Sequence, residues 1–118
     1  MQRQLVCAID DLPPGSMRLV QAGQFGVGVY NIGGSLYAIA NYCAHEGAPL
    51  CAGYVGGTTE FAPDSPGGVR FVRDGEIVRC PWHNWEFDIT TGVNLADPRQ
   101  RVRTYEVDVT DGQVYLTA

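Results

Sequence analysis

The sequence predicts an all-β domain of short antiparallel strands, and three observations carry that expectation. Residues alternate with a period of two: Phe25, Val27 and Val29 against Gly26, Gly28 and Tyr30, and Tyr105, Val107 and Val109 against Thr104, Glu106 and Asp108. This is the pattern of half-buried strands. Dipeptides that accept positive φ, namely Gly33-Gly34, Asp74-Gly75 and Asp111-Gly112, fall between such runs and suit tight hairpins. No segment sustains a helical period and no internal repeat is present. Strands at this spacing point to an antiparallel sandwich or barrel.

The elements follow in order. A first strand over Leu5–Ile9 is broken by Pro13-Pro14-Gly15. Strands over Met17–Gln21, the alternating run from Phe25 to Tyr30, and Ser35–Ala40 come next, the last two joined at Gly33-Gly34. Ala52 to Pro66 is rich in Gly, Pro, Thr and Ser, with little apolar material beyond Tyr54, Val55 and Phe61. It reads as a long loop, an insertion near 52–68. Val69–Arg73 and Glu76–Arg79 are expected as a hairpin around Asp74-Gly75, followed by Trp85–Ile89. The run from Thr104 to Val109 and the strand Gln113–Thr117 close the chain around Asp111-Gly112.

The 118 residues, 45% of them hydrophobic, form one domain over 1–118. Net charge is −5, and all eight basic residues are Arg. Nucleic acid is not an expected partner, because phosphate contacts need a basic face. An acidic surface suits a partner with a basic docking face, although it also serves plain solubility. No run approaches the ~20 apolar residues of a membrane span, and Leu5 to Ile9 is too short for a signal-peptide core. A soluble, cytoplasmic protein is the expectation. The four cysteines, Cys7, Cys43, Cys51 and Cys80, are then expected as metal ligands or buried thiols rather than disulfides.

The chemistry lies in two short clusters, Cys43-Ala44-His45 and Cys80-Pro81-Trp82-His83. The chain has two histidines, and both follow a cysteine by two or three positions. Two thiolates and two imidazoles fit either a zinc ion or a two-iron cluster. Zinc fingers place their cysteines together and their histidines together. Here the order is interleaved, which favours the cluster.

In these residues the chain resembles the Rieske [2Fe–2S] family, whose pattern is C-x-H, a spacer, then C-x-x-H. The likeness extends through Cys43-Ala44-His45-Glu46-Gly47-Ala48-Pro49-Leu50, Cys80-Pro81-Trp82-His83-Asn84-Trp85-Glu86-Phe87-Asp88 and Thr90-Thr91-Gly92. It implies a Rieske-type antiparallel β-sandwich with a cluster-binding part over about 41–92, formed by two facing loops. It implies one [2Fe–2S] cluster, with Cys43 and Cys80 on one iron and His45 and His83 on the other. Two departures stand out. The spacer, residues 46–79, is long for the family, and position 84 is Asn where the family often has Gly. Asn is the non-glycine residue that best tolerates positive φ.

The resemblance also implies a role. High-potential members carry an extra cysteine in each loop and hydroxyls near the sulfurs. The matching positions here are Ala48, Trp82, Trp85 and Phe87. Without sulfur hydrogen bonds from those hydroxyls the potential is expected near the lower end of the range. The chain thus resembles the Rieske ferredoxins of oxygenase systems. These are not enzymes themselves: they carry one electron from a flavin-dependent reductase to a terminal oxygenase or reductase, docking near His45 and His83. The alternatives are a small Rieske subunit of a larger reductase or oxygenase complex, and a binding or sensing module with a structural metal. Trp85 is expected to pack against the cluster loops, while Trp82 serves either docking or packing. Cys7 and Cys51 are expected as packed thiols.

Overall fold

A computed structural model describes residues 2–43, 47–82 and 84–118. Nine strands follow in chain order: β1 Arg3–Ala8, β2 Met17–Val20, β3 Val27–Ile32, β4 Ser35–Ala40, β5 Val55–Phe61, β6 Val69–Arg79, β7 Glu86–Asp88, β8 Thr104–Thr110 and β9 Gln113–Thr117. They form a six-stranded sheet in the order β1-β9-β8-β4-β3-β2 and a three-stranded sheet in the order β5-β6-β7. Every pairing is antiparallel. Among the described residues no helix is long and apolar enough to cross a membrane.

The hairpins at both ends of the large sheet form as their turn residues dictate. Ile32 pairs with Ser35 across Gly33-Gly34, and Thr110 pairs with Gln113 across Asp111-Gly112. Both are two-residue loops, and all four turn residues have positive φ, the geometry that matches strand twist. The β2–β3–β4 and β8–β9–β1 layers join at a short seam, Ala38 with Tyr105 and Ile39 with Thr104. Val27, Val29 and Ala38 from one layer meet Val114 and Leu116 from the other in a single buried cluster, with Cys7 packed at its margin.

β3 departs from the half-buried expectation, because its residues Val27 to Asn31 are all buried. One face enters the core just described. The other carries Tyr30 into a second core with Ile39, Cys43, Leu50, Cys51, Val78, Cys80, Phe87, Ile89 and Val102. The small sheet and the cysteine loops cover this second face, so the strand is sandwiched rather than wet on one side.

Two expectations are corrected. The segment 52–66 is not a long loop, because Val55–Phe61 forms β5 and pairs along β6. Asp74-Gly75 does not turn a hairpin, because Val69–Arg79 is one strand on a common partner. The register jumps from Thr58–Val72 to Gly56–Ile77, leaving Arg73 to Glu76 as a bulge. Arg73 (φ 59°) and Gly75 (φ 86°) take the positive φ that a turn would have used. A bulge draws on the same backbone freedom as a tight turn, so the dipeptide does not distinguish them.

Candidate metal centre

Cys43 follows β4, and Cys80 opens the loop joining β6 to β7. Both cysteines are buried, at 0% and 1% exposure, in the same apolar cluster. The chain therefore brings together two thiols far apart in sequence. His45 and His83 lie outside the described residues, as do Ala44 and Glu46.

The two cysteine loops share one backbone design. In the first, Cys43 N–H donates to Ala48 O and Gly47 N–H to Cys43 O, both at 2.8 Å. In the second, Cys80 N–H donates to Trp85 O at 2.8 Å and Asn84 N–H to Cys80 O at 2.9 Å. The fourth residue after each cysteine is left-handed, with φ 76° at Gly47 and 57° at Asn84. Asn84 thus does what glycine does in the other loop, as the sequence led us to expect. The same turn at two places gives two cysteines in matching settings.

Gly53 explains how the loops come side by side. A Cβ there would overlap the carbonyl oxygen of Arg79, the residue before Cys80. Next to it, Arg79 N–H donates to Tyr54 O at 2.9 Å. The exit of the first loop therefore rests directly on the entrance of the second, and only glycine permits that approach.

Beneath the loops, Cys51 is 8% exposed and packs over Gly28 and the Tyr30 ring. Its Sγ lies 3.9 Å from Ile39 O. Burial pushes its thiol pKa up, with the nearby Tyr30 hydroxyl and Gly28 backbone only partly offsetting this. A thiol so placed stays protonated and inert. Cys7 and Cys51 form no disulfide. Trp82 is 56% exposed at the loop surface, whereas Trp85 packs against the core. Trp85 thus packs as expected, and Trp82, whose role the sequence left open, lies at the surface.

Around β7, Glu86 accepts hydrogen bonds from Thr58 Oγ1 at 3.0 Å and from Arg79 at 3.1 and 3.2 Å. Asp88, buried at 8% exposure, accepts from Thr90 N–H, Thr90 Oγ1 and Arg73 at 2.8, 2.6 and 2.7 Å. Burial alone would raise the Asp88 pKa, but the Thr90 and Arg73 hydrogen bonds outweigh it and hold the carboxyl below its ordinary value. The sequence analysis missed Thr58 and Arg73. Asp88-Ile89-Thr90 was open to recognition as a side-chain-capped turn. Arg73 gave no such signal, because its partner depends on the bulge.

Residues 2–106 match the family model of the Rieske [2Fe–2S] domain. The chain belongs to this family. Among relatives of this Rieske chain is Ferredoxin CarAc of Metapseudomonas resinovorans, 30% identical over 113 residues, covering 94% of this chain and 89% of that protein. Among solved structures, a ferredoxin in a complex of reduced oxygenase and oxidized ferredoxin in carbazole 1,9a-dioxygenase aligns with a TM-score of 0.71. It shows 29% identity and covers 97% of this chain and 100% of its own. The putative NADH-dependent nitrite reductase small subunit from Mycobacterium tuberculosis aligns with a TM-score of 0.72 and 28% identity, covering 98% and 93%. The chain carries one [2Fe–2S] cluster as its family cofactor, and the donor set fits it. Two buried thiols on matching loops in an apolar setting are donors of the kind such a cluster takes on its sulfur side.

Proposed function

We propose that Cys43, His45, Cys80 and His83 hold the [2Fe–2S] cluster, and that this Rieske chain is a one-electron carrier between a flavin-dependent reductase and a terminal oxygenase. The observation that carries the ligand set is the repeated turn, which presents Cys43 and Cys80 in equivalent hydrogen-bonded settings within one core. Each turn has a histidine in its sequence, two residues after one cysteine and three after the other. The cluster supplies reversible one-electron chemistry. The chain's own part is to hold the cysteines rigid and dry and to present the loop tips to a partner.

Burial supports that division of labour. Cys80 is 1% exposed, while Trp82, two residues on, is 56% exposed. The second loop therefore passes from core to surface within one turn. Trp82 offers an apolar contact at the tip, and the net charge of −5 suits a partner with a basic face. Ala48, Trp82, Trp85 and Phe87 stand where high-potential relatives place cysteines and hydroxyls, which supports a low potential. We place the carrier in the cytoplasm.

A second reading has its own support. The similarity to a nitrite reductase small subunit is close to that to the dioxygenase ferredoxin, so by fold alone the chain fits the Rieske subunit of such a reductase as well. Electron paramagnetic resonance of the dithionite-reduced protein tests the ligand set. A rhombic signal of mixed sulfur and nitrogen ligation is expected, lost in His45→Ala and His83→Ala. A signal kept in both variants overturns it. Stopped-flow reduction by a flavin reductase, followed by reoxidation with an oxygenase or with a nitrite reductase, separates the two roles.

A further inference from the structure

The β5–β6 arm beyond the cysteine loops has a specific relation to β7. The loop of residues 80–85 is the end loop of the β6–β7 hairpin, closed at its neck by the Arg79–Glu86 pair. β7 is short, Glu86–Asp88, and its middle residue Phe87 is fully buried in the core that holds Cys43 and Cys80. Its two outer residues are carboxylates, and residues of the arm reach both. Thr58 of β5 donates to Glu86 Oε1 at 3.0 Å. Arg73 of the β6 bulge donates to Asp88 Oδ2 at 2.7 Å and to Glu76 Oε1 at 3.1 Å. Bulges re-aim side chains beside functional sites. Here the left-handed Arg73 (φ 59°) is the residue so aimed.

The consequence runs on through Asp88. Its second oxygen, Oδ1, accepts from Thr90 N–H and Oγ1, and its backbone carbonyl accepts from Thr91 and Gly92 N–H. One carboxylate therefore joins the arm, β7 and the turn after it. We propose that the β5–β6 arm is a positioning device for the second cysteine loop: its bulge turns Arg73 onto Asp88, while Thr58 holds Glu86, and together they fix β7 from the face opposite Phe87. Arg73 and Thr58 are then positioning residues, which act on the cluster through β7. This rests on the proposed ligation by Cys80 and His83.

The test uses the full chain with its cluster. Arg73→Gln and Thr58→Val remove the two contacts. Arg70→Gln is the control, because Arg70 pairs with Glu60 on the same arm and touches nothing on β7 that the structure records. Two quantities are read: the rate at which visible absorbance is lost under excess iron chelator, and the midpoint potential by voltammetry. Arg73→Gln is expected to release the cluster about tenfold faster, the size of losing one charge-assisted, partly buried hydrogen bond. Its potential falls, because Asp88 is left without its cation. Arg73→Lys restores the charge but not the forked geometry, so it recovers the potential and only part of the retention. Thr58→Val gives a smaller acceleration, and Arg70→Gln gives none.

Release rates and potentials of Arg73→Gln and Thr58→Val equal to those of Arg70→Gln overturn the proposal. If Arg73→Gln does not fold, Thr58→Val decides alone, since it deletes one hydroxyl at nearly constant size. A parent protein that never takes up a cluster fails the ligand assignment and the proposal with it. A parent that holds its cluster while the variants match it fails this proposal only.

Discussion

Asn84 closes the second cysteine loop from left-handed backbone, with φ 57°, and its N–H donates to Cys80 O at 2.9 Å. Left-handed backbone costs an ordinary L-residue about 1–2 kcal/mol. Asparagine carries the least of that penalty, and a β-branched residue carries the most. Asn84→Val is therefore expected to lose about 2 kcal/mol. Asn84→Gly removes the penalty in the folded chain but adds unfolded-state freedom of about 0.5–1 kcal/mol. The two nearly cancel, and its stability is expected within about 0.5 kcal/mol of the parent. The first loop supplies an internal comparison. Gly47→Ala meets the same backbone demand, at φ 76°, and also the Tyr42 ring, 3.0 Å from the new Cβ. Tyr42 is 37% exposed and free to yield, so backbone strain dominates and about 1–2 kcal/mol is expected. Thermal unfolding followed by far-ultraviolet dichroism, with iron per chain measured beforehand, reads these values. At roughly 4 °C per kcal/mol for a domain of this size, Asn84→Val melts about 8 °C lower, while Asn84→Gly barely moves. If the Val and Gly variants fall equally, the Asn84 side chain matters rather than its backbone, and the shared-turn argument is wrong.

Two further outcomes follow from the packing and charge beneath and beside the loops. A Cβ on Gly28 would lie 2.5 Å from Cys51 Sγ and 2.9 Å from Tyr30 Cε1, so Gly28→Ala should lose about 1–3 kcal/mol by overpacking. Adding Cys51→Ala should recover part of it, and a double-mutant cycle with no coupling energy would refute the close contact. Asp88 has its carboxyl held below the ordinary 3.8. The stability this brings is complete above that value and is lost as pH falls through the lower folded value. Unfolding measured against acid pH should therefore fall less steeply in Asp88→Asn than in the parent, and parallel curves would count against the Arg73 and Thr90 bonds.

How far the sequence discloses this fold depends on where one side of a strand ends up. The period of two in Tyr105, Val107 and Val109 and the turn at Asp111-Gly112 describe β8 and β9 well, because that layer has one wet face. The same period misleads in β3. Gly28 and Tyr30 look like a solvated face but are buried, because the cysteine loops lie over them and no local pattern records that contact. The error over 52–66 has another cause. Gly56 and Gly57 weaken the strand signal, and the bulge at Arg73 to Glu76 resets the register opposite them. Neither strand then shows a continuous alternation, although Thr58, Thr59, Glu60 and Phe61 pair with Val69 to Val72. The candidate site was more legible, since residue type and spacing single out Cys43 and Cys80, which the fold buries in one core. They do not single out Thr58 and Arg73, because each reaches β7 only through tertiary pairing.

The long spacer between the cysteine loops looks, in sequence, like extra material to be accommodated. On the positioning proposal it has a mechanical reason. A one-electron carrier works best when both oxidation states share one geometry, so the loops proposed to hold the ligands should be stiff. The first loop has its stiffness from below: Cys43 sits in a core continuous with Tyr30 and Ile39 of the large sheet, and Cys51 N–H is held by Asn41 Oδ1 at 2.8 Å just beyond the loop. The second loop ends a hairpin whose strand β7 has only three residues, too short to be rigid alone. It needs a partner on its open face, and β6, eleven residues long and bent by a bulge, brings Arg73 to it. The arm and the short strand that it braces lie in the same small sheet, so on the positioning proposal the spacer between the two loops itself supplies the support that the second loop needs.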